Sequence, residues 1–312
     1  MKRPLEPIHP LNSYASSTPA TDGKRVFVTF LDVDKMYVAA FDFDGNRLWD
    51  ARPGPFASKH GFCTNPVLYR DSVILNGDHD GDAYIVSLRQ ENGKEVWRIP
   101  RENKTRSYCT PIIVREGEVD QIMLNGSFCT AGYDAQNGKQ IWICDGPSEQ
   151  MVATLVVGHG LIFSLGGFPE RHLLAIRRGK SGNLNDQIVW RTHQGIPYVP
   201  SPLLYGNYLH VVSDDGFYTC FDPTTGNTLT RKRACKHVSS SLLGGLERVY
   251  LTEDDGRTVV IANQPGFKIL AENSIGEEIY SSPAASRGNL FLRGKEHLFC
   301  IGATKEKGVA GN

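Results

Sequence analysis

One short stretch of the chain carries side chains that could bind a metal ion. Between Asn76 and Asp82, oxygen-bearing side chains alternate with other residues, and a glycine stands at position 81. This alternation imitates the first half of a calcium-binding loop, in which oxygens at every second position surround a hard cation. The bidentate acid that closes such a loop is missing, because its place is taken by Ser87. The candidate calcium ligands are Asn76, Asp78, Asp80 and Asp82. The alternative is a solvated hairpin that uses Asp and Gly as turn formers.

Other catalytic chemistry has little support in the sequence. The chain has no GxSxG, HExxH or Walker motif, and its 9 His are scattered. A Ser/His/Asp site assembled from distant segments stays an open alternative. Lys+Arg and Asp+Glu both total 34, so the formal net charge is +0. This balance argues against a nucleic-acid partner or an anionic membrane surface, which would need a basic face.

An internal repeat of 40 to 50 residues organises the chain. Trp49, Trp97 and Trp142 each follow a glycine by four positions, and Trp190 closes a fourth copy that carries an insertion. Seven versions of another phrase also recur, each with Ser/Thr or Pro, a short strand, a Gly/Asp turn and a second apolar strand. A third strand, a turn such as Thr-Thr-Gly, and a fourth strand bearing the Trp complete each unit.

This pattern predicts an all-β fold, a seven-bladed β-propeller of four-stranded antiparallel blades. A single four-stranded sheet cannot bury both faces, but sheets stacked around an axis can. We expect Trp49, Trp97, Trp142 and Trp190 to dock one blade on the next rather than to stack on a ligand. The last unit ends after its third strand, near Ile301, so the last blade is incomplete. The chain could alternatively be part of an eight-bladed ring.

The predicted architecture brings scattered loop residues to one face. We name the strands of each blade A to D; the B–C and D–A loops of a propeller emerge around one mouth of the central channel. The B–C loops carry acids such as Asp214 and Asp254, and the D–A loops carry aromatic and basic residues. Loops on a rigid scaffold commonly carry function. The candidate ligand-binding residues are His60, Arg106, Tyr108, Tyr198, His237 and Tyr280. Ordinary turn composition is the competing interpretation.

The phrases AFDFDGNRLW, ending at Trp49, and GYDAQNGKQIW, ending at Trp142, resemble the PQQ-like β-propeller repeats. These repeats occur in quinoprotein dehydrogenases, in the propeller lipoprotein of the bacterial outer-membrane assembly machine, and in bacterial PQQ-binding-like propeller proteins. The resemblance covers residues 12 to 302 and concerns the fold, since a propeller does not determine a function. Many members of this group have eight blades and are exported, whereas this sequence shows seven units.

The resemblance also raises the question of PQQ-dependent catalysis. The dehydrogenases of this group are expected to have an adjacent Cys-Cys pair, a calcium ion held by Glu, Asn or Asp, an Asp base and a Trp floor. This sequence has no Cys-Cys pair, and its 4 Trp all fall in the docking repeat. We therefore expect no cofactor, with PQQ or calcium as the less favoured alternatives. The preferred function is a non-catalytic scaffold that binds a protein or peptide partner or a small ligand. A cofactor-dependent oxidoreductase and a propeller hydrolase or lyase are the alternatives.

The sequence also predicts how the chain divides. Residues 1–12 form an N-terminal arm, 13–302 a single propeller domain and 303–312 a disordered tail. No apolar segment follows the basic residues near Met1, so no signal peptide is expected as given, and the compartment stays open. The run Met151–Phe168 has no charged side chain but is divided by Gly158-His159-Gly160, so we expect two strands rather than a membrane span. Cys63, Cys109, Cys220 and Cys300 stand at matching strand positions and are expected to be small core residues.

Overall fold

The computed structural model describes residues 16–102, 104–146 and 148–302. The chain is a seven-bladed β-propeller, in which each blade is built on an antiparallel meander and the last blade has three strands. The predicted N-terminal arm 1–12 and C-terminal tail 303–312 lie outside the described residues. No helix in the described part of the chain has the length and apolar character needed to cross a bilayer.

The first four blades follow the repeat noted in the sequence. Their strands are β1 (Ala20–Thr21), β2 (Arg25–Asp32), β3 (Lys35–Asp42), β4 (Arg47–Pro55), β5 (Val67–Tyr69), β6 (Ser72–Gly77), β7 (Tyr84–Arg89), β8 (Glu95–Pro100), β9 (Ile112–Glu116), β10 (Val119–Gly126), β11 (Cys129–Asp134), β12 (Gln140–Asp145), β13 (Val156–Gly158), β14 (Leu161–Gly166), β15 (His172–Arg177) and β17 (Ile188–Thr192). The extra strand β16 (Gly182–Asn183) and a 3-10 turn at Asn185–Gln187 lie in the insertion before Trp190. The uncharged run from Met151 therefore forms β13 and β14.

The last three blades repeat the same order. Their strands are β18 (Leu203–Tyr205), β19 (Tyr208–Val212), β20 (Phe217–Phe221), β21 (Thr228–Arg233), β22 (Leu243–Gly245), β23 (Arg248–Thr252), β24 (Arg257–Ala262), β25 (Ile269–Ser274), β26 (Ala284–Ser286), β27 (Asn289–Arg293) and β28 (Leu298–Gly302). Strands B and C of most blades are buried almost throughout and consist of Val, Ile, Leu and aromatic residues. These β-branched and aromatic side chains fit a pleated surface that is covered on both faces.

The chain divides into two compact units. Unit 1 holds residues up to Tyr198 together with Pro223–Gly226, and unit 2 holds Val199–Asp222 and the residues from Asn227 onward. The sequence predicted a single domain over residues 13–302. The division into two units does not test that prediction.

Within unit 1, Trp side chains pack on glycines of the following blade. A Cβ atom on Gly93 would lie 2.5 Å from the Trp49 ring, and one on Gly138 would lie 2.8 Å from the Trp97 ring. The Trp49 indole N–H also donates to the carbonyl of Gln90, at 2.8 Å. Each of these glycines has a positive φ, which an L side chain adopts only at a cost. The glycine that precedes one Trp by four positions is thus the platform for the Trp of the previous blade.

Trp190 follows the same rule, and Trp142 departs from it. The Trp190 indole N–H donates to the carbonyl of Pro223 at 2.9 Å, and its ring lies over Gly226. Trp142 instead donates to Gln121 of its own blade at 2.9 Å. The insertion before Trp190 explains the difference, because β16 pairs in parallel with β12 and places Gly182 opposite Trp142. The third blade therefore has five strands, which the repeat did not predict.

Two buried asparagines, each at the end of a B strand, donate hydrogen bonds to the connection that leads from their own blade to the next. Asn76 Nδ2 donates to the carbonyl of Cys109 at 3.2 Å, and Asn125 Nδ2 donates to the carbonyl of Ala153 at 3.1 Å. Both asparagines stand in a Leu-Asn-Gly phrase that ends its B strand. A buried amide that finds its partners stabilises the seam, whereas an unpaired one would destabilise it.

The seven cysteines are free thiols, and only Cys300 is exposed. Burial raises the pKa of Cys63 and of Cys109 to about 12. These thiols stay protonated at neutral pH, where the thiolate is the reactive form. The buried thiols agree with the predicted packing role, whereas the prediction of a core position is wrong for Cys300, which is exposed at the open edge of the last blade.

The glycine platform gives a matched test of the seam. Replacing Gly93 by Ala should lower the free energy of unfolding by about 2–4 kcal/mol, because the new methyl group needs a positive φ and meets the Trp49 ring. Gly45 also has a positive φ, of 85°, but faces open space, so Gly45→Ala should cost only about 1–2 kcal/mol. Urea denaturation of both variants measures the difference. Equal losses would show that ring packing on Gly93 contributes nothing.

Candidate functional site

Four of the six predicted ligand-binding residues lie in D–A connections of unit 1. His60 follows β4, Arg106 and Tyr108 follow β8, and Tyr198 follows β17. Short turns join the strands within each blade, whereas the D–A connections between blades are longer and carry these side chains. The other two, His237 and Tyr280, lie in unit 2.

Tyr108 is the centre of a small polar group in unit 1. Its phenol oxygen lies 2.6 Å from Ser58 Oγ, and its ring lies 6.3 Å from the ring of His60. Burial raises the pKa of Tyr108 well above its ordinary value. The phenol therefore stays protonated at physiological pH, where it can donate a hydrogen bond.

Arg106 is fixed by a carboxylate from the B–C loop of the second blade. Its Nη1 lies 2.8 Å and 2.9 Å from the two carboxylate oxygens of Asp80, and its backbone N–H donates to Asp80 Oδ1 at 3.2 Å. Burial disfavours the charged guanidinium, but the Asp80 carboxylate outweighs it and raises the pKa of Arg106. The pair holds the D–A connection against the B–C loop.

Asp78 forms a buried ion pair that the sequence did not predict. Asp78 Oδ1 lies 2.6 Å from Arg101 Nε, and the two side chains are 0% and 1% exposed. Arg101 Nη1 also donates to the phenol oxygen of Tyr133 at 2.9 Å. A Cβ atom on Gly126 would lie 1.9 Å from Arg101 Nη2, so a glycine is needed there. Burial alone would lower the pKa of Arg101, yet the Asp78 charge holds it above its usual value.

The predicted calcium ligands therefore point to different partners. Asp82 is almost fully exposed and lies 3.1 Å from Lys104, while Asn76 Oδ1 accepts a bond from the backbone N–H of Asp78 at 3.1 Å. With Asp80 on Arg106 and Asp78 on Arg101, each carboxylate of the loop faces its own cation. The calcium site stays a prediction, without converging ligands to support it.

A cluster of possible metal ligands occurs elsewhere in the described part of the chain. It consists of Glu277, Glu296 and His297 at the edge of the last blade. His297 Nδ1 already lies 3.0 Å from Glu277 Oε2 in an exposed ion pair. The repeat pattern of the sequence does not mark these residues.

Two exposed phenylalanines and Tyr198 form what we call the aromatic patch, defined as Phe128, Phe168 and Tyr198. Phe128 is 58% and Phe168 is 51% exposed, and the rings of Phe168 and Tyr198 lie 6.3 Å apart. Phe128 and Phe168 occupy the B–C loops of the third and fourth blades. Large apolar side chains are unusual at such turns, where small and polar residues are typical.

One connection holds the aromatic patch together. The backbone N–H of Phe128 donates to the carbonyl of Ser148 at 2.9 Å, and the backbone N–H of Gln150 donates to the carbonyl of Phe168 at 3.1 Å. The Tyr198 hydroxyl donates to Gln150 Oε1 at 3.0 Å. The three aromatic residues thus share the segment between β12 and β13 as a common support.

In unit 2, Asp254 organises the neighbourhood of the other two predicted residues. Asp254 Oδ2 lies 2.6 Å from His237 Nδ1, and Asp254 Oδ1 accepts the backbone N–H of Ser239 at 2.7 Å. Burial and the carboxylates of Glu278 and Asp254 raise the pKa of Tyr280. Asp214 plays the same part for the connection between β17 and β18: its Oδ1 accepts a hydrogen bond from the backbone N–H of Val199 at 3.0 Å. These acids order the loops that carry them.

Comparison with known proteins places the chain in a family. The family model described as outer membrane protein assembly factor BamB matches residues 9–181, more than half of the chain. The chain belongs to the BamB family. The PQQ-like propeller resemblance of its repeats is thereby confirmed.

Individual relatives match over shorter stretches of the chain. The outer membrane protein assembly factor BamB of Kangiella koreensis is 30% identical over 89 residues, which are 28% of this chain and 22% of that protein. The tetrathionate hydrolase of Acidianus ambivalens is 28% identical over 109 residues, 30% of this chain and 20% of that protein. The chain thus spans about a fifth of the length of the curated relatives it matches.

A solved structure supports the fold over most of the chain. The crystal structure of BamB from Moraxella catarrhalis superposes with a TM-score of 0.67 and 13% sequence identity. The alignment covers 91% of this chain and 81% of that one. At this identity the likeness concerns the propeller architecture alone.

His172 is a further titratable group, and no motif in the sequence marks it. It begins β15, only 7% of it is exposed, and its Nδ1 has no hydrogen-bond partner in the described part of the chain. Its ring lies 5.4 Å from that of His193. Burial, His193 and Arg191 lower the pKa of His172 to about 4.

The buried pair gives a prediction about charge. Asp78→Asn should lower the free energy of unfolding by about 3–5 kcal/mol, because it leaves the Arg101 guanidinium buried without a counter-charge. Asp82→Asn removes the same charge from the same loop, but the pair with Lys104 is exposed, so its cost should be about 0–1 kcal/mol. Denaturation curves compare the two variants. A similar cost for both would contradict a structural role for the Asp78–Arg101 pair.

His172 predicts an acid-side loss of stability. Its pKa of about 4 in the folded chain lies below the ordinary 6.5, so the unfolded chain binds the proton more readily. Its contribution is present above pH 6.5 and is lost as the pH falls through about 4, amounting to about 1–3 kcal/mol. His172→Leu should flatten this part of the stability profile measured by denaturation from pH 7 to pH 4. An unchanged slope in the variant would show that other groups cause the acid sensitivity.

Proposed function

We propose that the chain is a non-catalytic scaffold that binds a protein partner through the aromatic patch and the D–A connections around it. The observation that carries the proposal is the presence of two half-exposed phenylalanines, Phe168 beside Tyr198 and Phe128 bonded to the same β12–β13 connection, on loops that hydrogen bonds hold in place. Exposed apolar side chains on ordered loops favour a protein surface as partner, because aromatic residues dominate the energy of protein interfaces.

The surroundings of the aromatic patch fit such an interface. Arg106 and Tyr108 belong to residue types that are enriched in interface centres, and both are held by neighbours before any partner arrives. A surface whose side chains are already ordered loses less conformational entropy on binding. Polar groups such as His60 at its margin would supply hydrogen bonds.

The family relation supports a binding role. The relatives of the matching family are named as assembly factors of outer membrane proteins, which describes a role in assembly rather than in catalysis. The balanced charge of the chain favours a protein or peptide partner over nucleic acid.

The catalytic alternatives remain hypotheses with a simple test. The cofactor-dependent oxidoreductase predicts a quinone absorbance in the purified chain, or dye-linked dehydrogenase activity after addition of PQQ and calcium. The hydrolase or lyase alternative, with His and Asp side chains gathered from several blades, draws support from the similarity to the tetrathionate hydrolase of Acidianus ambivalens. No structural observation on the described residues favours either over the scaffold.

A matched set of phenylalanine variants tests the proposal. The tagged chain is used as bait, the partner is identified by mass spectrometry, and its affinity is then measured with purified proteins. Phe128→Ala combined with Phe168→Ala should weaken binding by at least about tenfold, because two aromatic contacts are lost. Phe43 is 65% exposed in unit 1 but lies in the C–D turn of the first blade, so Phe43→Ala should leave affinity unchanged.

Two outcomes would contradict the proposed binding site. A partner whose affinity is insensitive to the double variant, or as sensitive to Phe43→Ala, would exclude the aromatic patch as its site. Circular dichroism and the unfolding midpoint of each variant establish that lost binding is not lost folding.

A further inference from the structure

Unit 2 contains an apolar cleft between the sheets of its last two blades. Its volume is about 650 Å³, which falls within the range of small-molecule sites. The apolar lining comes from Leu243, Tyr250, Val260, Ile275, Leu290 and Leu292. Leu246, 83% exposed, and Ile301, 48% exposed, stand at its margin.

The amino-acid sequence explains why this seam is open. Strand A of the fifth blade, β18, reads Leu-Leu-Tyr, whereas β22 reads Leu-Gly-Gly and β26 reads Ala-Ala-Ser. The position of the docking Trp is Leu270 in the sixth blade, and every residue of β25 is exposed. The bulk that fills the other seams is therefore missing on both sides of this one.

Strand alternation shows which side chains face the cleft. Gly244 pairs with Val249, and a Cβ atom on Gly244 would lie 3.1 Å from Tyr205 of the fifth blade. The neighbouring pair, Gly245 and Arg248, lines the cleft. A Cβ atom on Gly245 would meet no atom within 4 Å, and Gly245 does not have a positive φ. The sheet leaves this position empty although its backbone would accept a side chain.

Arg248 gives the cleft its charge. It is the single charged residue in the lining, and its guanidinium pairs with no carboxylate in the described part of unit 2. Apolar walls with one unpaired cation at the margin match an amphipathic anion, whose alkyl part is buried while its acid group remains beside the guanidinium.

We propose that this cleft binds a monomeric medium-chain fatty carboxylate. The alkyl chain packs between Tyr250, Val260 and Leu292, and the carboxylate pairs with Arg248. The cleft lies wholly within unit 2 and the aromatic patch wholly within unit 1, so this site is independent of the proposed protein partner.

Calorimetric titration of the full chain with dodecanoate, below its micelle concentration, tests the site. We expect one saturable site, with weaker binding of butyrate because most of the buried alkyl chain is absent. Arg248→Gln should weaken dodecanoate binding about two- to fivefold and leave binding of dodecanol unchanged. Arg177→Gln, which removes an exposed arginine from β15 of unit 1, is the matched control and should change neither.

Gly245→Val tests the cleft without removing any group. The new side chain occupies the space beside Arg248 in a β-strand, where Val is favoured over Gly, so the unfolding midpoint should be unchanged or higher. Binding of dodecanoate should fall by more than about tenfold. Because the variant is expected to be stably folded, lost binding reports on the cleft itself.

Three results would overturn the proposal. The first is the absence of saturable dodecanoate binding, and the second is binding that Gly245→Val leaves intact. The third is self-association of the wild-type chain in analytical ultracentrifugation that Gly245→Val abolishes, which would assign the cleft to a second copy of the chain.

Discussion

The seam in which a Trp ring of one blade lies on a glycine of the next is the interaction on which the rest of the structure depends. A four-stranded sheet exposes two apolar faces, and neither is buried until a neighbouring sheet covers it. The Trp49 ring reaches within contact of Gly93 because that residue has no side chain, and the same glycine supplies the positive φ of its turn. Turn geometry and blade docking are thus satisfied by one residue type at one position.

The strength of this seam changes along the chain, and the surface changes with it. In unit 1 the rings of Trp49, Trp97 and Trp190 lie on glycines. In the fifth blade Thr230 replaces the ring, and its hydroxyl accepts the backbone N–H of Gly266 at 2.6 Å. In the sixth blade Leu270 takes the position and is 45% exposed. The loss of aromatic bulk accompanies the apolar cleft of unit 2, so a weakened structural motif leaves space that a ligand could occupy.

Sequence periodicity was sufficient to predict the strands of the blades but not the contacts of the candidate site. Strands repeat with the hydrophobic pattern, so their positions follow from local composition. Asp78 pairs with Arg101, which lies in the connection after β8. The path of that connection decides the pairing, and no local sequence pattern encodes it. The strand β16 was missed because two residues, Gly182–Asn183, carry no periodic signal. The exposed Phe128 could have been noticed, since a phenylalanine between polar turn residues has no packing reason to be there.

Internal pairing also decides which chemistry the loops can offer a partner. The sequence suggested an acidic surface, but Asp78 and Asp80 are paired with arginines, and Asp254 accepts bonds from its own neighbourhood. A carboxylate that already pairs with a guanidinium would have to give up that bond to bind a ligand, which costs free energy that a new contact must offset. An aromatic side chain at the surface faces no such competition, because covering it releases water and breaks no hydrogen bond. The acids therefore hold the loops in place, and the proposed binding of a protein partner rests on the aromatic side chains that those loops present.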